Sequence, residues 1–581
     1  MFTGVKVQYL LLPFLSLSHV ELAWSNQDIG RVLESKDKEK YLRELPNSLE
    51  VKSKSNKENK ISIDSQDYKF HVKGIVVDTN SHLIEKVNAV EYFEGFNGGS
   101  YTFNELQKIV DDLNYKLFEE GYLTSKFYFP PQDVTEGNIV VKFIEGVIDK
   151  PGTLELNSDL LGGDYESHIY EFIERNIKDG EVFDNDIIER NLLLLSDLPS
   201  FSVSGNLKPG RYENSTRIEL DVNKSDTLNL VTSMDNYGSR YTGEYRYIAG
   251  LTWNNPTSIK DRLSFSLLKS GGMGDQIYGQ VSYKHYIGYS GLDLNISQSW
   301  MESQFGGVFE PLDSISKASV SNISISYPMI KTRNKSLDIY FSYDKKNLKD
   351  EFLGIKTNHR EIDRGAVGAK FHFNDDLIRG AYNVGKISYY NGFLDLSKVY
   401  SSFESDQALG GAKTHGSFEK ITYFIRRIQN LGMNITAVFD LDGQEALNNL
   451  NSAEKYALGG VYGVRAYPDG ELSGDNALRV ALDIKYRLPI ALYDSDLYLS
   501  TFYDWGVVDR YYDFDNISTD KKNKVSIQGA GLGFEINSNN NLRFYLMMAK
   551  QLNRDDEYFN EYNSDGTKDR ERLLASFAYE F

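Results

Sequence analysis

Most of the chain holds nothing that could do covalent chemistry, but one arrangement could hold a charge in place. In "GGVYGVRAYPDGELSGD", residues 459–475, Arg465 stands beside Val464 and near Tyr467, among glycines that let another backbone come close. A guanidinium taken out of water needs an anion. Asp504, in "TFYDWGVVD", is a candidate, because a period of two puts Ser500, Phe502, Asp504 and Gly506 on one face and Leu499, Thr501, Tyr503 and Trp505 on the other. The chemistry is ion pairing rather than turnover. The nearest thing to a nucleophile elbow, "GYSGL" at 288–292, fails G-x-S-x-G. The eight histidines include no H-E-x-x-H, "SHLIE" and "NHR" read as exposed loop or helix surface, and no phosphate-cradling loop appears. With no cysteine, disulfides, thiolate metal sites and thiol catalysis are excluded. The expectation is no catalytic residue, no metal, no cofactor and no enzyme.

Composition limits the class of protein. At 581 residues the chain exceeds one ordinary domain. Forty Tyr and 32 Phe against 12 Pro favour strands and membrane-interface belts over helix bundles. A formal net charge of -19 gives a field that repels phosphate backbones, so nucleic acid is not an expected partner. Residues 1–25 have a lone Lys6, an apolar run from Val7 to Leu17, and Ala23 and Ser25 as small residues before a cut, which predicts a secretory signal peptide. A membrane anchor is the alternative, but the run is short of the ~20 residues a spanning helix needs.

The elements that would position Arg465 follow from periodicity. Spaced Ile29, Val32, Leu33, Tyr41 and Leu42 suit an amphipathic helix over 26–45, and the polar stretch 46–67 reads as a flexible linker. A compact unit over 68–150 starts with the strand "YKFHVKGIVV" and a weakly helical stretch at 81–91. Next come a helix opened by a Thr102/Glu105 capping box and closed by Gly121, then the strands "YLTSKFYF" and "NIVVKFIEG". The same order repeats over 151–226: "GTLELN", helices at 165–177 and 184–197, then "FSVSGNLKPG" and "STRIELDVNK". From 227 to 581 the period is two. At 478–488, Leu478, Val480, Leu482, Ile484, Tyr486 and Leu488 alternate with Arg479, Ala481, Asp483, Lys485 and Arg487. No helix is available to cover the apolar faces, so lipid is the expected cover. About sixteen such segments of roughly ten residues predict a closed transmembrane β-barrel. The 459–475 segment then lies in a long loop that can fold back into the lumen.

Several stretches carry a family resemblance. "KFYFPPQD" with "GNIVVKFIEG", and "IIERNLLLLSDLPSFSVSGNLKPG", resemble the paired POTRA domains of two-partner secretion transporters, the TpsB family. The resemblance covers essentially the whole mature chain. Val464, Arg465 and Tyr467 match the family's V-R-G-Y loop motif, with Ala466 where the family has Gly, and Phe502, Asp504 and Gly506 match its F-x-D-x-G motif on the inner barrel wall. The resemblance implies an outer-membrane protein with its POTRA domains in the periplasm, a loop fixed by an Arg465–Asp504 contact, and a plug helix at 26–45. It also implies an unfolded secreted partner, of haemolysin, adhesin or contact-dependent toxin type, bound by strand addition. The expected docking residues are Phe127 and Phe129 on one edge, Phe201 and Val203 on the other, and Leu106 and Leu113 on a groove wall. The terminal Phe581, on one face with Leu573, Ala575, Phe577 and Tyr579, resembles the signal read by the barrel-assembly machinery, and a lipid-facing aromatic is its simpler reading. A barrel-assembly protein of the same superfamily and a passive porin are the rival readings.

Overall fold

The computed structural model describes residue 29 and residues 69–78, 81–149, 163–199, 201–224, 226–258, 260–490, 495–553, 556–559 and 561–581. The expected signal peptide, the linker 46–67 and, apart from Ile29, the helix at 26–45 lie outside the described residues. The chain divides into two compact units, the small α/β modules and the barrel.

In the first module the helix Phe103–Glu119 forms where the capping box places it. The Glu105 N–H donates to the Thr102 hydroxyl at 3.2 Å, and the Thr102 N–H donates back to the Glu105 carboxylate at 2.8 Å. That backbone N–H holds the Glu105 carboxyl below its ordinary range. Gly121, at φ +90°, turns the chain out of the helix. Leu106, Ile109, Val110, Leu113 and Leu117 are buried against a sheet of three strands. In it Asn138–Ile144 lies between Gly74–Val77, parallel, and Lys126–Tyr128, antiparallel.

Three elements differ from the periodicity reading. "YKFHVKGIVV" divides into Lys69–His71, paired with Ser100–Thr102, and Gly74–Val77, because the chain changes partner at Val72 and Lys73. The helical stretch at 81–91 is two helices, His82–Lys86 and Ala89–Glu94, parted by Asn88 at φ +53°. "YLTSKFYF" contributes only Lys126–Tyr128 as strand.

The second module places helices Gly163–Asn176 and Asn185–Ser196 with a sheet in which Ser215–Lys224 is central. Phe201–Pro209 lies antiparallel on one side and Val147–Ile148 parallel on the other. "GTLELN" lies outside the described residues, and the parallel strand comes from Val147, so the second sheet begins before residue 151.

The barrel closes with sixteen strands, from Leu228–Asp235 to Glu571–Glu580, and the last pairs back onto the first. Closure removes both sheet edges, the condition for strands to cross hydrocarbon. Leu482, Tyr486, Leu499, Tyr503, Leu573 and Phe577 point outward and are exposed, whereas Arg479, Ala481, Phe502 and Asp504 point inward and are buried. Connections at the end where residue 228 starts are short, such as 288–291 and 433–434. Those at the far end include the long segments 396–415 and 447–475.

Charged residues on the inner wall are buried because the far-end segment 447–475 fills part of the lumen. It carries a 3-10 turn, Ser452–Glu454, and a small hairpin of Tyr456–Leu458 with Leu472–Gly474. Leu458, Val464, Ala466 and Tyr467 join Phe502, Val508, Ile527 and Met547 of the wall in one apolar cluster.

Candidate functional site

The hairpin presents 459–471 as an inserted tip whose bends rest on glycine. Gly459, Gly460 and Gly470 have φ of +118°, +78° and +66°. The tip is tied across itself, with the Gly460 N–H donating to the Tyr467 carbonyl at 3.0 Å and the Tyr467 N–H to the Val464 carbonyl at 3.1 Å.

Arg465 is 9% exposed and is met by two carboxylates. Its Nε donates to Asp504 Oδ2 at 2.9 Å and its Nη2 to Asp504 Oδ1 at 2.6 Å, while its own backbone N–H donates to Asp504 Oδ2 at 3.0 Å. Asp483, from the neighbouring strand, accepts from Nη1 at 2.7 Å and Nη2 at 3.1 Å. The guanidinium also lies over the Phe502 ring, 3.6 Å from its centroid. Two bidentate pairs around one planar cation fix position and orientation together, which a lysine could not do. Removing one partner of such a buried set costs about 3–5 kcal/mol, because the remaining charge is left uncompensated.

The residues flanking Arg465 explain the small side chains opposite them. A Cβ on Gly506 would lie 2.6 Å from Leu458 Cδ1, so the glycine of the wall motif admits the hairpin. Ala466 is fully buried and is not among the residues at positive φ, so a side chain suits its backbone. Its methyl group faces Gly529, where an added Cβ would come within 2.7 Å. The wall therefore lacks a side chain where the loop has one. The Ala466 carbonyl accepts from Gln551 Nε2 at 3.2 Å, and the Tyr467 hydroxyl donates to the Asn553 carbonyl.

A second wall arginine braces the tip from behind. Arg479 donates to Asp442 at 2.7 Å and to the Gly463 carbonyl at 3.3 Å. Beside these groups lies a cavity of about 460 Å³ lined by Asp235, Arg426, Asp440, Arg465, Asp483 and Glu535, among others. That is the size of a small-molecule pocket, too small for a folded domain.

The structure thus brings Arg465, Phe502, Asp504 and Gly506 to one place, with Val464 and Tyr467 buried on either side. Asp483 was not singled out for the site. Its inward phase was legible in 478–488, but its reach to Arg465 depends on the register Asp483–Phe502 between neighbouring strands. Phe581 is on the outer face, 65% exposed, with its N–H donating to the Leu230 carbonyl at 2.8 Å.

The expected docking residues need correction. Leu106, Leu113 and Phe127 are in the core of the first module and present no surface, because the helix turns Leu106 and Leu113 toward the sheet and Phe127 is buried on the strand Lys126–Tyr128 in the same core. Phe103, 51% exposed, is the aromatic at that edge, with its ring 6.4 Å from that of the partly buried Phe129. The backbone of the edge is occupied too. The Phe127 N–H donates to Asn114 Oδ1 at 2.7 Å, and Asn114 Nδ2 donates to the Phe127 carbonyl at 3.0 Å. Beyond the strand, Gln132 does the same for Val140, both bonds at 2.7 Å.

The second module differs. On Phe201–Pro209 the outward groups of Val203 meet Ser196, at 3.0 and 3.4 Å. By antiparallel alternation Gly205 and Leu207 also face away from the sheet, and their backbone groups on that side find no partner among the described residues.

The family described as haemolysin secretion/activation protein ShlB/FhaC/HecB matches residues 214–536, and the ShlB-type POTRA domain matches 70–146. The heme/hemopexin transporter protein HuxB of Haemophilus influenzae (strain 86-028NP) is 23% identical over 546 residues, covering 92% of this chain and 93% of its own. The solved structure of CdiB from Escherichia coli superposes with a TM-score of 0.70 at 15% identity, covering 97% of this chain and 98% of that one. CdiB from Acinetobacter baumannii gives 0.66 at 18%, covering both chains fully. At these identities the structural likeness is one of fold.

Proposed function

The chain belongs to the haemolysin secretion/activation family and is an outer-membrane transporter of the two-partner secretion type, and we propose that it passes an unfolded exoprotein along a lumen whose conformation the Arg465 loop sets. The barrel lies in the outer membrane and the POTRA modules in the periplasm. Short connections at one end and long ones at the other agree with periplasmic turns and extracellular loops.

The exoprotein, of haemolysin, adhesin or toxin kind, is captured while extended. Strand addition needs a sheet edge with free N–H and C=O groups at strand spacing. Asn114 occupies those groups at Phe127, so the open edge at Gly205 and Leu207 of the second module is the better candidate. Ile29, the one described residue of 26–45, is helical and 2% exposed, clustered with the lumenal residues Leu268, Tyr278, Met301 and Ala318. This supports a plug role for that segment. Phe581, which follows the last strand directly, serves recognition by the barrel-assembly machinery, and the outward apolar faces meet lipid. The cycle asks for no bond-making step from this chain.

The observation that carries the reading is Arg465, held between Asp483 and Asp504 inside a closed barrel that is joined in sequence to two POTRA modules. The test is export of the partner exoprotein by cells carrying the intact chain, its Arg465→Ala variant or neither. Export should require the intact chain, and Arg465→Ala should abolish it while the barrel stays inserted and heat-modifiable on gels. Normal export by Arg465→Ala would remove the role assigned to the loop.

A further inference from the structure

The inserted loop carries a second buried charge that the Arg465 motif does not use. Glu454 ends the 3-10 turn Ser452–Glu454, and its side chain is 1% exposed. Its Oε1 accepts from Lys346 at 2.8 Å, and its Oε2 meets Arg364 at 2.8 Å and Lys420 at 2.9 Å. These cations come from the inner faces of three strands, Lys335–Phe352, Ile355–Asp375 and Gly416–Gly432. Lys420 Nζ also donates to the Glu454 carbonyl at 2.8 Å, and Gln444 Nε2 donates to the same carbonyl at 3.1 Å. The rest of the turn is held as well. Arg360 donates to the Ser452 hydroxyl at 3.2 Å, and Leu450 and Ala453 are buried in one apolar cluster with Leu348, Ile362 and Phe418.

The charge pattern of the wall is complementary to the loop in two places, with opposite signs. Where Arg465 docks, the wall offers two carboxylates from strands Asn476–Arg487 and Ser495–Asp509. Where Glu454 docks, it offers three cations, of which Arg364 is also shared with Asp344 at 2.9 Å. Without the loop, each stretch of wall would carry like charges facing one another with no countercharge from the loop. A loop pinned at one point can pivot about it, whereas a loop pinned at two separated arcs of the wall spans the lumen as a strap.

We propose that Glu454 is a second anchor of the inserted loop, a positioning residue that holds it across the lumen and neutralises a cationic arc of the pore wall. This rests on the lumen being the passage, and does not depend on where the exoprotein docks. The anchor has an electrical signature. Charged rings lining a pore set its ion selectivity, so withdrawing the Glu454 charge turns the arc of Lys346, Arg364 and Lys420 into an anion-favouring surface.

Purified full-length chain in planar lipid bilayers under a KCl gradient provides the test, with wild type, Glu454→Gln, Glu454→Gln/Lys346→Gln and Arg465→Ala compared. Glu454→Gln is expected to insert and remain heat-modifiable, to conduct more than wild type at rest, and to move the reversal potential to the anion side. The double variant, which removes both members of one ion pair, protects the test against misfolding. It should keep the raised conductance with a smaller selectivity shift. Wild-type conductance and reversal potential from an inserted variant would overturn the proposal. So would failure of both Glu454 variants to insert while Arg465→Ala inserts, since that would assign Glu454 to barrel formation. Conductance from none of the four proteins would instead overturn the lumen as a passage.

Discussion

A guanidinium held by two aspartates tolerates little change around it, and the small residues of the site show where the tolerance ends. Ala466 and Gly529 share one methyl-sized space between loop and wall. Gly529→Ala should overpack it, costing about 1–3 kcal/mol and loosening the Arg465 contact. Gly529→Ala combined with Ala466→Gly moves the methyl from loop to wall and should recover both the thermal stability of the barrel and export. Failure of the double variant to improve on Gly529→Ala would show that Gly529 matters for its backbone instead. Much of this site was legible beforehand, since a period of two assigns Phe502, Asp504 and Gly506 to the inner face. Glu454 was not. It lies in a turn with no periodicity, and its partners Lys346, Arg364 and Lys420 are remote in sequence and converge only when the barrel closes.

At the scale of the element, what separates the two POTRA modules is how their sheet edges are finished. Asn114 and Gln132 mimic a neighbouring strand with side-chain amides, an edge protection that costs no extra backbone. On Phe201–Pro209 the outward backbone groups of Gly205 and Leu207 find no partner among the described residues. Leu207→Pro is therefore an informative substitution. The Leu207 N–H points away from the sheet, so proline removes a donor without removing a ladder bond. Export should fall while the module keeps its protease resistance, and unchanged export would exclude this edge as the docking strand. Helix positions and apolar faces were readable from the Thr102/Glu105 capping box and from 3.6-residue spacing. Core and surface on one helix are harder to separate: periodicity reads Leu106 and Leu113 as groove wall because it identifies an apolar face without saying what covers it. Strand breaks at Val72 and Lys73 escaped notice because a change of pairing partner leaves no mark on alternation.

At the scale of the molecule, the inserted segment 447–475 fills part of the lumen, and Ile29 is buried among lumenal residues. Deleting 26–45 should raise resting conductance and leave export in place, and unchanged channel activity would remove the plug reading. The barrel itself was legible as some sixteen alternating segments, whereas its closure could only be inferred from the need to remove sheet edges. That closure has a kinetic consequence. The last strand is registered on the first from Ser576 opposite Asp235 to Glu580 opposite Val231, with a single backbone bond beyond each end, whereas Lys335–Phe352 is paired along its whole length with Ile355–Asp375. Asn236 lengthens the seam with a side chain, accepting from the Ala575 N–H at 2.8 Å and donating to the Leu573 carbonyl at 2.9 Å. The hairpin partners are neighbours in the chain, but the two seam strands are its most distant pair, so their meeting carries the largest loop-closure entropy for a short register. Assembly should therefore proceed by successive hairpins into a curved open sheet, with the seam zipping last and, on unfolding, parting first.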